Sequence, residues 1–101
     1  MKPGKTVRDS LIWFVGEMEE RLEAKDMQRG ERGWLDLHPL WLFLRMGEHF
    51  DELRQDLMRP TSVEDAKKTC VDIANEAMML AEVLVSQYNL RMKSKGVKER
   101  G

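Results

Sequence analysis

The chain has 101 residues, enough for one domain, and a domain of this size buries only about two-thirds of the surface its unfolded form exposes. Its 17 basic and 18 acidic side chains make up 35% of the residues and almost cancel, which excludes a global field drawing nucleic acid or membrane. No window approaches the ~18 apolar residues of a membrane span.

The opening Met1-Lys2-Pro3-Gly4-Lys5 leads into an amphipathic pattern rather than a signal-peptide core, so neither export nor membrane insertion is expected. Thr6 with Asp9 resembles a capping box, and Val7, Leu11, Phe14, Val15, Met18 and Leu22 follow at steps of three and four. That period predicts a first helix over about residues 6–27. From Gln28 the run Arg29-Gly30-Glu31-Arg32-Gly33-Trp34 breaks the period with two glycines. It leaves a charged loop around an indole, the expected flexible, ligand-facing segment.

Asp36 is expected to cap a second helix over about 37–58, with Pro39 tolerated in the first turn and Phe43, Met46, Phe50, Leu53 and Leu57 along its seam. Arg59-Pro60-Thr61 stops it, and Thr61 with Glu64 suggests a second capping box. The third helix carries Val63, Ala66, Cys70, Ile73, Ala77, Leu80, Leu84 and Tyr88 as its apolar residues. So short a connection implies that helices two and three form an antiparallel hairpin.

Around Ala77-Met78-Met79-Leu80-Ala81 the third helix is apolar on nearly every side, which implies more neighbours than three helices supply. The single cysteine, Cys70, is expected as a small buried side chain in a reducing, cytoplasmic setting. The tail 91–101 is basic and is expected to fray into solvent, although such a tail can also attract a polyanion. Residues 1–101 therefore read as a single all-α domain: a small helical bundle with a long antiparallel hairpin, completed by oligomerisation.

At 100° per residue, Arg45, His49, Glu52 and Asp56 fall on one stripe of helix two, and Asp65, Thr69, Asp72 and Glu76 on one of helix three. Counting outward from Pro60 sets Glu52 level with about Thr69, and His49 with about Asp72. Facing acids repel unless a cation or proton lies between them, and oxygen-rich clusters hold Mg²⁺ or Mn²⁺. A charged stripe beside an apolar seam is equally what a solvated helix face looks like.

The other constellations have plainer readings. His38, next to Pro39, suits a cap or the surface. Trp13 and Trp41 suit a core or an interface, and Trp34 is the exception because its glycine-rich basic loop could stack it on a base. The eight methionines suit adaptable packing.

The run Glu48-His49-Phe50-Asp51-Glu52-Leu53, followed by Lys67-Lys68-Thr69-Cys70-Val71-Asp72-Ile73-Ala74-Asn75-Glu76-Ala77-Met78-Met79-Leu80-Ala81, resembles the MazG-like all-α nucleoside triphosphate pyrophosphohydrolases. A tryptophan-ending glycine loop, an acidic helix and the Asp72-to-Ala81 run, in that order, are similar to the phage-type dATP/dGTP diphosphohydrolase branch over roughly residues 9–85. The resemblance implies a dimer or tetramer that uses Mg²⁺ or Mn²⁺. It would hydrolyse a purine deoxynucleotide such as dGTP or dATP to monophosphate and pyrophosphate, in the cytoplasm of the cell or, if phage-encoded, of the host.

The family's motifs are EExxE and ExxD. Glu48 and Glu52 match the first and last acids of one, Asp72 the last acid of the other, and His49 and Thr69 stand where the family has acids. On this likeness Glu48, Glu52 and Asp72 are catalytic, and Glu48, His49, Glu52, Asp72 and Glu76 hold metal. Arg29, Arg32, Trp34, Lys67, Lys68 and Asn75 contact the nucleotide. Each replacement removes a negative charge that Mg²⁺ prefers, so the alternative is a catalytically silent scaffold or regulatory protein on the same fold. Nucleic acid is not an expected partner, because no positive excess elsewhere matches the tail.

Overall fold

In the computed structural model, which describes residues 6–29, 33–59 and 62–94, the chain forms α1 (Asp9–Arg29), a 3₁₀ turn (Gly33–Asp36), α2 (Pro39–Met58) and α3 (Val63–Ser94). No strand occurs among the described residues, so the all-α class holds. None of the described helices is long and apolar enough to cross a membrane.

The helix starts are fixed by caps that only partly match those the sequence suggests, His38 at α2 being the one it offers as a cap. Thr6 closes no box, because the first turn of α1 accepts on the Arg8 carbonyl, from Leu11 N at 3.0 Å and Ile12 N at 3.2 Å. Asp9 thereby falls inside the first turn, where its charge meets the positive end of the helix. The helix continues through Gln28 and Arg29, and residues 30–32 of the expected loop lie outside the described residues.

His38, not Asp36, caps α2: its Nδ1 accepts from Leu40 N at 3.0 Å. A residue before proline is driven out of the α region, and His38 at φ −74°, ψ 135° has the extended geometry an N-cap needs. Asp36 instead ends the 3₁₀ turn, after which Leu37 N donates to Trp34 O at 2.9 Å. The same constraint ends α2, since Arg59 precedes Pro60 and is extended at φ −109°, ψ 134°, its N–H donating to Gln55 O at 3.2 Å.

α3 is capped by Ser62, one residue beyond the expected Thr61, which lies outside the described residues. Ser62 Oγ accepts from Asp65 N at 3.2 Å and its carbonyl from Ala66 N at 3.3 Å. Ser62→Ala is expected to remove about 1 kcal/mol of stability, a drop in Tm of about 5 °C for a chain of this size. Thermal denaturation with Thr61→Ala as the comparison checks this, and equal drops for the two variants would refute the assignment. Downstream, residues 91–94 of the tail expected to fray are helical, and 95–101 lie outside the described residues.

α3 is the spine: α2 packs along it, and α1 and the 3₁₀ turn touch it elsewhere. Leu42 of α2 and Val71 and Val83 of α3 are the buried apolar side chains among the described residues. Cys70 is exposed rather than buried, because a step of about 200° from Asp72 carries it to the far side of α3. Ala77 and Ala81 are exposed and Met78, Met79 and Leu80 half-buried, so this chain covers only one side of that apolar stretch. Trp13 is 54% exposed and Trp41 43%, which removes both from the core of a single chain. Leu11, Ile12 and Val15 of α1, Phe43, Leu44 and Phe50 of α2, and Leu84 and Tyr88 of α3 are likewise exposed.

Candidate functional site

Among the described residues, the buried side chains are mostly polar. His49, Thr69, Asp72, Asn75 and Glu76 are all at most 9% exposed, and burying such groups is unfavourable unless each finds a partner. Their partners define the site.

Among the described residues, two side-chain hydrogen bonds tie α2 to α3. His49 Nδ1 donates to Glu76 Oε1 at 2.8 Å, both side chains being 8% exposed. Thr69 Oγ1 bonds Asp56 Oδ2 at 3.3 Å and the Asp65 carbonyl, one turn back, at 3.1 Å. The stripes therefore meet one helical turn away from the register counted outward from Pro60: His49 faces Glu76 rather than Asp72, and Thr69 faces Asp56 rather than Glu52. That count assumes both helices leave the connection at the same height. Arg59 is extended and Ser62 is a cap, and the helices are staggered.

Glu52 follows His49 by three residues and Asp72 follows Thr69 by three, so both stand between these two contacts along their stripes. Glu52 is exposed. Glu48 is exposed as well, its side chain 67% accessible and held by Arg45 at 2.8 Å.

α1 completes the site with polar ties. Arg21 grips Asp72 with two parallel hydrogen bonds, Nε to Oδ1 at 3.0 Å and NH2 to Oδ2 at 2.8 Å, a planar fork on a planar carboxylate. The hydrogen bond to Asp72 raises the Arg21 pKa above its ordinary value against the opposing effect of burial. Asn75 Nδ2 donates to the Met18 carbonyl at 3.2 Å. Lys67 lies 3.0 Å from Glu17 and 2.8 Å from Glu64. Its hydrogen bonds to these acids raise the Lys67 pKa, and the bond from Lys67 lowers that of Glu64.

Between the three helices lies a cavity of about 40 Å³ walled by Lys25, Leu42, Arg45, Asp72, Asn75 and Glu76 among others. It has room for an ion or a few waters and none for a nucleoside. Asn75 Oδ1 is buried there with no hydrogen-bond partner among the described residues. Turning the amide over would set oxygen against the Met18 carbonyl, so the orphan acceptor is held in place.

Oxygen donors of this kind suit a hard divalent ion: two carboxylates one turn apart on α3 and the Asn75 carbonyl, while Glu52 is exposed on α2 outside the lining of the cavity. As the side chains stand, no three of the described His, Cys, Asp or Glu residues converge tightly enough to hold one. Asp72 is turned to Arg21, and Glu76 to His49. The donor chemistry fits a metal, then, provided that Arg21 releases Asp72 and His49 releases Glu76.

The remaining sequence candidates are dispersed. Trp34 is half-buried on the 3₁₀ turn, its indole N–H donating to Glu82 at 3.0 Å. Beside it an open groove of about 490 Å³ is lined by Leu35, Met78, Val85 and Ser86 among others. Lys68 is exposed. Lys67 is engaged by two carboxylates, on a face of α3 about 140° from Asp72. The Arg29 side chain and the whole of Arg32 lie outside the described residues.

Arg21 is the member of this cluster that sequence reasoning missed. Its signal was a charge three residues after Met18 and seven after Phe14, inside the apolar seam of helix one. Comparison with protein-family models, with curated proteins and with solved structures yields no match.

Proposed function

We propose that this protein is a metal-dependent nucleoside triphosphate pyrophosphohydrolase of the MazG-like kind, acting in the cytoplasm on a purine deoxynucleotide such as dGTP or dATP. The observation that carries the proposal is the buried Asp72, Asn75 and Glu76 walling an ion-sized cavity, with His49 bonded to Glu76 and an orphan acceptor on Asn75. Buried polar groups gathered at a concavity are the usual mark of a working site. The likeness of the Glu48-to-Leu53 and Lys67-to-Ala81 runs to that family supplies the reaction.

In this reading Glu52, Asp72 and Glu76 hold Mg²⁺ or Mn²⁺, with His49 and Glu48 beside them. When bound, the ion would supply a Lewis acid at the phosphoryl oxygen and lower the pKa of water to be used as nucleophile. The chain supplies the rest. Arg21, Lys25 and Arg45 bring positive charge to a site whose substrate carries a triphosphate. Asn75 is locked by its bond to Met18 and offers a fixed acceptor that can orient water. His49 can hold a proton on Nδ1, where Glu76 keeps it in place. The Trp34 indole edge is engaged by Glu82, which leaves the ring face for stacking on a base.

The reading includes assembly. α2 and α3 form an antiparallel hairpin, and the exposed Leu11, Ile12, Trp13 and Val15 of α1 and Phe43, Leu44 and Phe50 of α2 are covered in a homodimer or homotetramer.

A second reading has its own support. The buried acids have donors within the chain, Arg21 on Asp72 and His49 on Glu76, as a catalytically silent scaffold or regulatory protein would have. Incubation with each deoxy- and ribonucleoside triphosphate and Mg²⁺, Mn²⁺ or Co²⁺, monitored for pyrophosphate, decides between them. Release from a purine deoxynucleotide is expected, and silence of the folded protein with every pair would leave the scaffold.

A further inference from the structure

The ion-sized cavity and the acids around it raise a question that the proposed function leaves open: a cation already occupies Asp72, and it belongs to the chain. Resting on that reading, we propose that Arg21 is an exchangeable internal counter-ion, a positioning residue that holds Asp72 until metal arrives and then transfers its guanidinium to the phosphates of the nucleotide.

Geometry and charge carry the argument. The guanidinium takes both oxygens of Asp72 at 3.0 and 2.8 Å, filling the edge on which the carboxylate would chelate an ion. A divalent cation placed beside a guanidinium that stays would meet a like charge within a few ångströms. The same planar fork that fits a carboxylate fits a phosphate, so a triphosphate offers Arg21 an equivalent partner.

Arg21 is free to make the exchange. Its side chain is 37% exposed against 11% for Asp72, and no side chain of residues 9–26 of α1 is buried. Moving it opens no core. The orphan Asn75 Oδ1, walling the same cavity, is an acceptor left waiting for a donor or a cation. Lys25 and Arg45 also wall the cavity, but neither is bonded to Asp72 in the described contacts, so the block is specific to Arg21.

The test separates two affinities. Mn²⁺ binding is measured by electron paramagnetic resonance without nucleotide, and binding of the α,β-methylene analogues of dATP and dGTP is measured at saturating Mn²⁺, when the exchange has released Arg21. Arg21→Gln is expected to tighten Mn²⁺ by about tenfold, since the competing charge is gone, and to weaken the better-bound analogue by about tenfold, since the fork is gone. A merely structural residue would weaken both or neither, and either of those results overturns the proposal.

Should Arg21→Gln lose helix content, Arg21→Lys carries the same test. The retained charge keeps Mn²⁺ affinity near that of the native chain while the analogue still weakens. Mn²⁺ tightening in Arg21→Lys, or an unchanged analogue, refutes the exchange. Native protein that binds Mn²⁺ with an affinity indifferent to Arg21 sinks the exchange and leaves the metal reading standing. No binding by native or variant chains sinks both.

Discussion

Leu42→Ala is expected to lower the stability of the folded chain by about 3 kcal/mol, the middle of the range for emptying a fully buried leucine site. Leu42 is 1% exposed, and only Val71 and Val83 match it among the described apolar side chains. A core that small has little capacity to collapse around a cavity. The neighbouring Phe43, 60% exposed, provides the contrast: in an isolated chain Phe43→Ser should change stability by less than about 0.5 kcal/mol. Urea denaturation of both variants at two protein concentrations reads the difference. If Phe43→Ser is as damaging as Leu42→Ala and its midpoint moves with concentration, Phe43 is covered by a second copy, as the proposed assembly requires. If Leu42→Ala is mild, the core lies elsewhere.

Asp72→Asn and Glu52→Gln are each expected to reduce pyrophosphate release at least about a hundredfold, which corresponds to ~2.7 kcal/mol of barrier. Both substitutions keep the shape while removing the negative charge a hard divalent ion needs, and at residue 72 one of the two acceptors used by Arg21 also becomes a donor. Asp51→Asn, at an exposed residue engaged only with Arg54 and Gln55, should leave the rate unchanged. Mn²⁺ should raise the Tm of the native protein and of Asp51→Asn, and of neither site variant. Continued stabilisation of both site variants by Mn²⁺ would move the ligands to other residues.

The helices were legible because their apolar positions recur at three and four, and the all-α class follows from that period alone. Their ends were less so. At α3 a serine and a threonine stand side by side, and either can lead a capping box, Thr61 with Glu64 or Ser62 with Asp65; the hydrogen bond falls on Ser62. At α2 the information lay in Pro39, whose ring dictates the backbone of His38 more strongly than Asp36 could.

Register was legible only to within a turn, since the heights at which two helices leave a bend are not written in either helix. The chemistry divided in the same way. Spacing placed His49 and Asp56 on one stripe and Thr69, Asp72 and Glu76 on the other, and these do supply the contacts between α2 and α3. Spacing could not say that Asp72 would be claimed from α1 by Arg21, because that pairing spans 51 residues of sequence and depends on how a third helix lies across the other two.

The ties of α1 are ionic or amide in character, Glu17 to Lys67, Met18 to Asn75 and Arg21 to Asp72, and none of its side chains over residues 9–26 is buried. Phe14, Met18 and Leu22 on the same face are no more than half-buried, so lifting α1 away uncovers less hydrocarbon than parting α2 from α3 and carries the smaller share of the heat-capacity increment that accompanies exposure of apolar surface. For the same reason it contributes the smaller share of the slope of a denaturant curve. The amide protons of residues 9–26 are expected to exchange before those of α2 and α3.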